Sequence, residues 1–243
     1  MGNDRKFAVL IDADNVSDKY IKPILDEVSN DGVATYKRIY GDWTKPALGA
    51  WKNVLLEHSI LPIQQYGYTT GKNATDSAMI IDAMDILYSG NVDGFCIVSS
   101  DSDFTRLASR LRESGMFVVG MGEKKTPSAF IAACNKFKYL DVLAAASSEA
   151  KQEPAPDAAQ GEMTQQGLIR KAVMTIVQEN SDEDGWVFIG DIGNLLIKRY
   201  PDFDVRNYGF KKLTPFIRSF NLFLIKEVQP DDSNSKLVYV KIK

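Results

Sequence analysis

The sequence predicts an α/β domain with a mostly parallel sheet, joined to a second, smaller domain of helices and strands. Short apolar runs rich in β-branched and aromatic residues alternate with stretches that have helical spacing. Strands separated by helices of about 10–15 residues are typical of βαβ units with right-handed crossovers. A change of composition near residue 144 separates this pattern from the second domain.

The first domain is predicted at residues 1–143. Its strand-like runs lie at residues 7–11, 34–40, 60–66, 95–98 and 117–121. Stretches with helical spacing lie between them, at residues 21–28, 46–56, 77–88 and 104–112. This alternation favours a parallel sheet with helices packed against it.

Residues 144–163 are rich in Ala, Pro, Gln and Glu. Such a segment cannot bury enough apolar surface to offset the entropy lost on ordering, so we predict a flexible linker, with a short exposed helix as the alternative. Residues 164–243 then show helical spacing at 165–179, 189–197 and 210–220, and β-rich segments at 222–228 and 237–242 around a polar turn. Three helices and a hairpin in so short a segment predict a winged-helix (α+β) domain.

Composition restricts the class of protein. A hydrophobic share of 44% with 25% charged residues is ordinary for a globular protein. No apolar run approaches the roughly 20 residues that span a bilayer, and residues 1–6 lead into a strand without a signal-peptide core. Cys96 and Cys134 lie in apolar surroundings, as expected of buried thiols in a reducing compartment. We therefore expect a cytoplasmic protein with no membrane association.

Charge is uneven along the chain. Acidic residues outnumber basic ones in residues 1–163, whereas residues 164–243 are mildly basic. The acidic excess is consistent with a cation-binding site in the first domain. Neither part is basic enough to indicate nucleic-acid binding by itself.

Aspartates recur where predicted strands end or helices begin. Asp12 closes the first strand, Asp101 and Asp103 follow the fourth, and Asp76 opens the third helix. The carboxyl ends of strands form the ligand crevice of open α/β sheets. Carboxylates that meet there repel one another unless a cation lies between them, and such oxygen ligands suit Mg²⁺ or Mn²⁺. We therefore expect these four residues to be catalytic metal ligands that support phosphodiester hydrolysis.

Other residues near these aspartates are candidates for substrate contacts. We expect Asn15, Lys72 and Ser100 to assist in binding the substrate or supporting the cluster. Structural roles compete, because Asp and Asn favour turns, an aspartate at a helix start can serve as a cap, and Lys72 can be a simple loop charge. A cap accounts for one aspartate of the Asp101 and Asp103 pair and leaves the other unexplained.

Several other types of chemistry are disfavoured. The single histidine, His58, lies near the end of a predicted helix, away from the crevice loops. The phosphate-binding Gly-Lys-Ser/Thr loop and the GxGxxG fingerprint are both absent from the sequence, which argues against nucleotide binding. Asp82 comes six residues after Asp76 and does not share its helix face, so it is a weaker candidate ligand.

At these motifs the chain resembles the NYN family of PIN-like nucleases, in particular its bacterial LabA-like branch. The matching segments are residues 9–15 (VLIDADN), 71–76 (GKNATD) with Asp82, and 98–104 (VSSDSDF). The resemblance covers residues 5–143 and implies a Rossmann-like PIN fold and metal-dependent cleavage of RNA. It assigns the acidic site to Asp12, Asp76, Asp101 and Asp103. Many members have a glycine in the last motif, where this chain has Ser100.

The C-terminal part resembles the LOTUS (OST-HTH) domain in residues 187–196, 199–204 and 208–213. That resemblance implies a winged helix that associates with RNA or with protein partners. From the residues alone, a basic and aromatic surface could contact RNA phosphates and bases, and it would comprise Arg206, Lys211, Lys212, Arg218, Tyr208 and Phe210. Alternatively, the aromatic side chains pack in the core and the lysines form a solvated face.

The leading prediction is a metal-dependent (endo)ribonuclease that uses Mg²⁺ or Mn²⁺ and acts on RNA, expected to be single-stranded. A second enzyme hypothesis is a haloacid-dehalogenase-type phosphatase, because residues 12–16 resemble the start of that family's DxD motif, with Asp12 as the nucleophile and Asp14 as the general acid. A third is a non-catalytic RNA-binding adaptor whose acidic pocket is structural.

Overall fold

A computed structural model describes residues 4–66, 74–148, 159–229 and 236–243. The chain divides into two compact units, Met1–Ser148 and Glu149–Lys243. The strands of the first unit are β1 (Arg5–Asp12), β2 (Gly32–Gly41), β3 (Leu61–Gln64), β4 (Gly94–Val98), β5 (Phe117–Gly122) and β6 (Lys136–Tyr139). Its α-helices are α1 (Ile21–Asp31), α2 (Trp51–Glu57), α3 (Ala74–Ser89), α4 (Thr105–Glu113), α5 (Ser128–Ala133) and α6 (Leu140–Ser148).

The strands of the first unit form one parallel sheet in the order β3-β2-β1-β4-β5-β6. This is the strand order of a Rossmann-like doubly wound sheet. The chain builds outward from β1 to β3 and then returns to place β4 on the other side of β1. The order therefore reverses between β1 and β4, and a crevice opens there at the carboxyl ends of the strands.

Side chains from β1 enter two separate cores. Phe7, Val9 and Ile11 pack on one face of the sheet with residues from α1, α2 and α6. Ala8 and Leu10 pack on the other face with residues from α3, α4 and α5. Burial on both faces explains why this strand is a continuous apolar run. The predicted α/β class, with helices on both sides of a parallel sheet, is confirmed.

The sequence did not predict every element of this unit. β6, α5 and α6 are additional, so the sheet has six strands where five were expected. The helix predicted at 46–56 is divided into a 3-10 turn, Pro46–Leu48, and α2. Gly49 caps the 3-10 turn, and α2 begins two residues later, at Trp51.

The second unit contains α7 (Ala159–Asn180), β7 (Val187–Phe188), α8 (Ile189–Arg199), α9 (Leu213–Ser219), β8 (Phe223–Val228) and β9 (Leu237–Ile242). Its three strands form an antiparallel sheet in the order β7-β9-β8. One apolar core joins the helices to this sheet through residues that include Val173, Ile192, Phe216 and Val240. The small C-terminal domain of helices and an antiparallel sheet is therefore confirmed, with β7 as an unpredicted third strand.

Two helices extend into the segment predicted as a linker. α6 continues to Ser148 and α7 begins at Ala159, while residues 149–158 lie outside the described part of the chain. Among the described residues, no helix combines the length and the apolar character needed to cross a membrane.

Candidate active site

The candidate site lies at the carboxyl ends of β1 and β4. Ile11 of β1 pairs with Val98 of β4, so the residues that follow these two positions emerge side by side. Asp12 is the last residue of β1, and Ser99 follows the last residue of β4. The strand order thus brings together two motifs that lie far apart in the sequence.

Asp12 is fully buried and held by hydrogen bonds within the chain. Its Oδ2 accepts one from the Ser99 hydroxyl at 2.8 Å and one from the side-chain amide of Asn15 at 2.7 Å. Its Oδ1 accepts one from the backbone N–H of Asp14 at 3.0 Å. Burial raises the pKa of Asp12 above its usual value, and these donors oppose that shift. The carboxylate is therefore fixed in position at the floor of the crevice.

Asp76, Asp101 and Asp103 form the carboxylate cluster. Each offers one oxygen, and the three oxygens lie within 4.8 Å of one another. Asp76 is in the first turn of α3, and Asp101 caps a 3-10 turn, Ser102–Phe104, by accepting a hydrogen bond from the N–H of Asp103 at 3.0 Å. The cap predicted for one of this pair is therefore present, and the capping carboxylate also belongs to the cluster.

Burial and neighbouring negative charges perturb Asp76, which is only 9% exposed. Burial first, and then the negative charges of Asp12, Asp101 and Asp103, raise its pKa to about 6. Like charges brought together in a cleft oppose ionisation, and a cation between them removes that cost. Perturbed pKa values of this kind are frequent at functional sites.

The chemistry of these donors suits a hard divalent cation. Two oxygens that bind one Mg²⁺ at about 2.1 Å lie up to about 4.2 Å apart. The oxygens of the cluster lie within 4.8 Å of one another, so small side-chain adjustments bring them into range of one ion, and all three donors are carboxylates. The residues present therefore fit Mg²⁺ or Mn²⁺, with Asp12 behind them as an additional negative charge.

The other residues of the first motif lie on one side of the cluster. Asp14 Oδ2 accepts a hydrogen bond from the Thr75 hydroxyl at 2.9 Å, and Asp14 Oδ1 lies 3.6 Å from the ammonium of Lys45. Thr75 precedes Asp76 in α3, so Asp14 links the β1 loop to that helix. Sequence reasoning did not identify Lys45 or this use of Thr75.

The three residues predicted to contact the substrate in the first unit lie in different surroundings. Asn15 lies at the site and orients Asp12. Ser100 is buried, and its hydroxyl accepts a hydrogen bond from the N–H of Glu123 at 2.9 Å, which ties this loop to β5. Lys72 lies outside the described residues.

Asp82 contacts residues of β2 and not the carboxylate cluster. Its carboxylate forms an ion pair with Arg38 and accepts a hydrogen bond from the hydroxyl of Tyr40, both on β2. These contacts join α3 to the sheet. They account for Asp82 without a metal.

Two of the residues predicted to form an RNA-binding surface in the second unit pack in its apolar core instead. The ring of Tyr208 stacks on Phe216 at 5.0 Å, and the ring of Phe210 packs edge-on against it at 5.4 Å. Arg206 is held by the carboxylate of Asp204. The alternative of core packing therefore describes both aromatic residues.

The basic residues at the start of α9 remain accessible. Lys211 and Lys212 are exposed immediately before this helix. They are available for contact with phosphates.

A second group of cationic and aromatic residues lies on the sheet of this unit. The ring of Trp186 has the ammonium groups of Lys226 and Lys241 at 5.9 and 6.0 Å from its centroid. This group was not predicted from the sequence, because its members lie on three separate segments.

Two cavities lie at opposite ends of the main sheet. One of about 810 Å³ is lined by Arg5, Phe117 and Arg112 and lies at the amino ends of the strands. Ligand crevices of such sheets lie at the carboxyl ends, so this cavity is remote from the candidate site. Another of about 330 Å³ is lined by the loop after the carboxyl end of β2, which includes Lys45, by α2 and by Pro62 of β3.

Comparisons with known proteins agree with this architecture. The NYN domain model matches residues 6–141, and the OST-HTH/LOTUS domain model matches residues 165–234. A search of curated proteins finds no match.

Two solved structures are similar to parts of the chain. A protein of unknown function from Vibrio parahaemolyticus is 18% identical, covers 56% of this chain and 93% of its own, and has a TM-score of 0.47. An uncharacterized protein from Nitrosomonas europaea is 34% identical, covers 38% of this chain and 89% of its own, and has a TM-score of 0.27. Neither TM-score is high enough to support an inference. The family models cover both units, and the chain belongs to the NYN domain family, with an OST-HTH/LOTUS domain in its C-terminal part.

Proposed function

We propose that this protein is a divalent-metal-dependent endoribonuclease, and that its C-terminal domain binds RNA. The observation that carries the proposal is the carboxylate cluster of Asp76, Asp101 and Asp103 at the switch point of the sheet. The NYN match supports nuclease chemistry, and the OST-HTH/LOTUS match supports RNA as the partner.

The cluster would hold Mg²⁺ or Mn²⁺ through one oxygen from each of its three residues. When bound, such a cation supplies an activated water and neutralises charge that develops on the phosphate and on the leaving oxygen. Asp12 keeps the site electronegative, and Ser99 and Asn15 hold its carboxylate in place. Asp14, which is exposed, lies where a substrate would enter.

The same geometry argues against the phosphatase hypothesis. A phosphatase of that type needs Asp12 as a free nucleophile. Here both oxygens of Asp12 accept hydrogen bonds and none of its surface is exposed.

Mn²⁺-dependent cleavage of single-stranded RNA tests the proposal. The wild type should cleave, and Asp101→Asn and Asp76→Asn should each lose at least about a hundredfold in rate, because each removes a charged ligand. Asp85→Asn is the matched control, since Asp85 is exposed on the same helix as Asp76. Undiminished cleavage by the Asp76→Asn/Asp101→Asn double variant would remove the assigned site.

The same experiment distinguishes the ribonuclease from the non-catalytic RNA-binding adaptor. If the wild type binds RNA with unchanged affinity in EDTA and cleaves no RNA with Mg²⁺ or Mn²⁺, the adaptor hypothesis replaces the ribonuclease. A circular RNA substrate tests the endonucleolytic mode, because only internal cleavage can open a molecule without ends.

A further inference from the structure

We propose that the cavity of about 330 Å³ lined by Lys45, the ion-pair partner of Asp14, is a subsite that holds one unstacked base of the RNA strand. This subsite rests on the proposed function, because it would recognise the RNA substrate of the proposed ribonuclease. The cavity lies between the loop after β2, α2 and Pro62 of β3, and that loop leaves the carboxyl end of β2, the edge of the sheet on which the cluster lies. Residues that line it include Trp43, Lys45, Pro46, Lys52, Leu55 and Pro62.

The cavity is connected to the site by direct contacts. Lys45 lines the cavity, and its ammonium lies 3.6 Å from Asp14 Oδ1. The N–H of Asp14 in turn donates to Asp12, and Asp14 accepts a hydrogen bond from Thr75, the neighbour of Asp76. An RNA strand that runs from the cluster past Asp14 would reach the cavity at Lys45.

The lining matches the two parts of a nucleotide. Trp43 and the aliphatic side chains present apolar surface to a base, while Lys45 and Lys52 are exposed and carry positive charge for phosphates. Single-stranded nucleic acids are bound by this combination of aromatic surface and cationic groove. The volume is at the lower end of the range of about 300–1,000 Å³ for ligand pockets, which suits one nucleotide.

Trp43 is held in position before any ligand arrives. Its indole N–H donates to the carbonyl of Ile63 at 3.0 Å, and its backbone N–H donates to the side-chain oxygen of Gln64 at 3.0 Å. Both partners lie on β3, which fixes the ring relative to the sheet. A rigid aromatic surface loses little entropy when a base packs against it.

The cavity also predicts the secondary structure of the substrate. A base within a duplex is stacked and paired, so it cannot enter a pocket in the protein surface. Entry requires an unstacked base in a single strand, loop or bulge. The subsite would therefore give the ribonuclease its preference for unpaired RNA.

The phosphate part is tested by binding, with cleavage prevented. RNA affinity is measured by fluorescence anisotropy for the Asp101→Asn protein with Mn²⁺, over a series of salt concentrations. Adding Lys52→Ala should weaken binding and reduce the slope of log affinity against log salt by about one, as expected for one lost phosphate contact. Lys6→Ala is the control, because Lys6 is exposed on β1 at the opposite end of the sheet. Equal salt slopes for Lys52→Ala and Lys6→Ala would remove the lysine from the subsite.

The base part is tested by removing the base and the ring separately. A set of oligonucleotides, each with one abasic position, should contain one position whose base loss weakens binding about tenfold. Trp43→Ala should weaken binding of the intact strand by a similar factor. The affinity of this variant should not change further when the base at that position is removed. Trp43→Phe should retain most of the affinity, which controls for lost packing. If each abasic position changes RNA affinity equally in the protein with Trp43 and in the Trp43→Ala protein, the cavity holds no base.

These outcomes are distinct from failure of the proposed function. Weaker binding of Lys52→Ala and Trp43→Ala, with no RNA cleavage by the wild type, would retain the subsite and remove the nuclease. Normal binding of both variants in the Asp101→Asn background, with normal cleavage when either substitution is made alone, would retain the nuclease and remove the subsite.

Discussion

The hydroxyl of Ser99 donates a hydrogen bond to the buried carboxylate of Asp12, with 2.8 Å between Oγ and Oδ2. The Oγ of Ser99 also accepts a hydrogen bond from the N–H of Asp101 at 3.1 Å. One small side chain therefore joins the end of β1 to the loop after β4. It links the aspartate at the floor of the crevice to the cluster above it.

We expect Ser99→Ala to damage both stability and activity. Removing the donor leaves a buried carboxylate with one hydrogen bond fewer, at a cost of about 1–3 kcal/mol in the free energy of unfolding. Cleavage should fall as well, because the loop that carries Asp101 loses its anchor. Urea unfolding and the RNA cleavage rate measure the two effects. Ser102→Ala is the control, since Ser102 is exposed in the same loop, and equal losses in both variants would contradict the role of Ser99.

Asp76 should make the stability of the metal-free protein fall with rising pH. Its folded-state pKa of about 6 exceeds its usual value of 3.8, so the folded state holds this proton more tightly than the unfolded state. The stabilisation is complete below about pH 4 and is lost as pH rises through 6. Asp76→Asn should therefore be more stable than wild type by about 1–3 kcal/mol near pH 7.5, with a smaller difference near pH 4. Unfolding in urea with EDTA at several pH values checks this, and a gain that does not change with pH would contradict it.

Mn²⁺ should raise the melting temperature of the wild type. The cation binds the folded cluster and relieves its charge repulsion, and ligand at a hundred times its dissociation constant adds about 2.7 kcal/mol. Asp103→Asn should lose most of this increase, whereas Asp85→Asn should keep it. Thermal denaturation with and without EDTA measures the difference. An Asp103→Asn protein that keeps the full increase would exclude Asp103 from the metal site.

Asp82→Asn should behave as a structural variant. Asp82 pairs with Arg38 and Tyr40, so its loss leaves a partly buried guanidinium without that carboxylate. We expect a loss of about 1–3 kcal/mol in stability, with Mn²⁺ affinity changed less than threefold. Calorimetric titration of Mn²⁺ separates this variant from Asp101→Asn. A selective loss of metal binding at full stability would make Asp82 a ligand.

The sequence was sufficient to locate the acidic residues because each follows a recognisable strand or opens a helix. Asp12 ends one apolar run and Asp101 comes three residues after another, and parallel strands deliver such residues to one edge of the sheet. Their mutual spacing could not be predicted, since it depends on loop geometry. That geometry places Asp76 and Asp103 beside Asp101, whereas Asp12 lies deeper, held by Ser99.

β6 was missed because its sequence, Lys-Phe-Lys-Tyr, lacks the apolar character of a buried strand. Its lysines are nevertheless largely buried, and Lys138 lies 3.4 Å from Glu27 of α1, which is also buried. A pair so distant in sequence cannot be identified from local composition. Tyr208 and Phe210 were ambiguous for a different reason: Phe216, on which both pack, is close in sequence, but the contact depends on the chain turning between the 3-10 turn Val205–Tyr208 and α9.

The pairing of β1 with β4 has a consequence for biosynthesis. A ribosome that has released only β1 to β3 has exposed Asp12, while Asp101 and Asp103 are still to be translated. The nascent chain at this stage carries no complete cluster, and the proposed chemistry would begin only after Asp101 and Asp103 have been translated and β4 has docked.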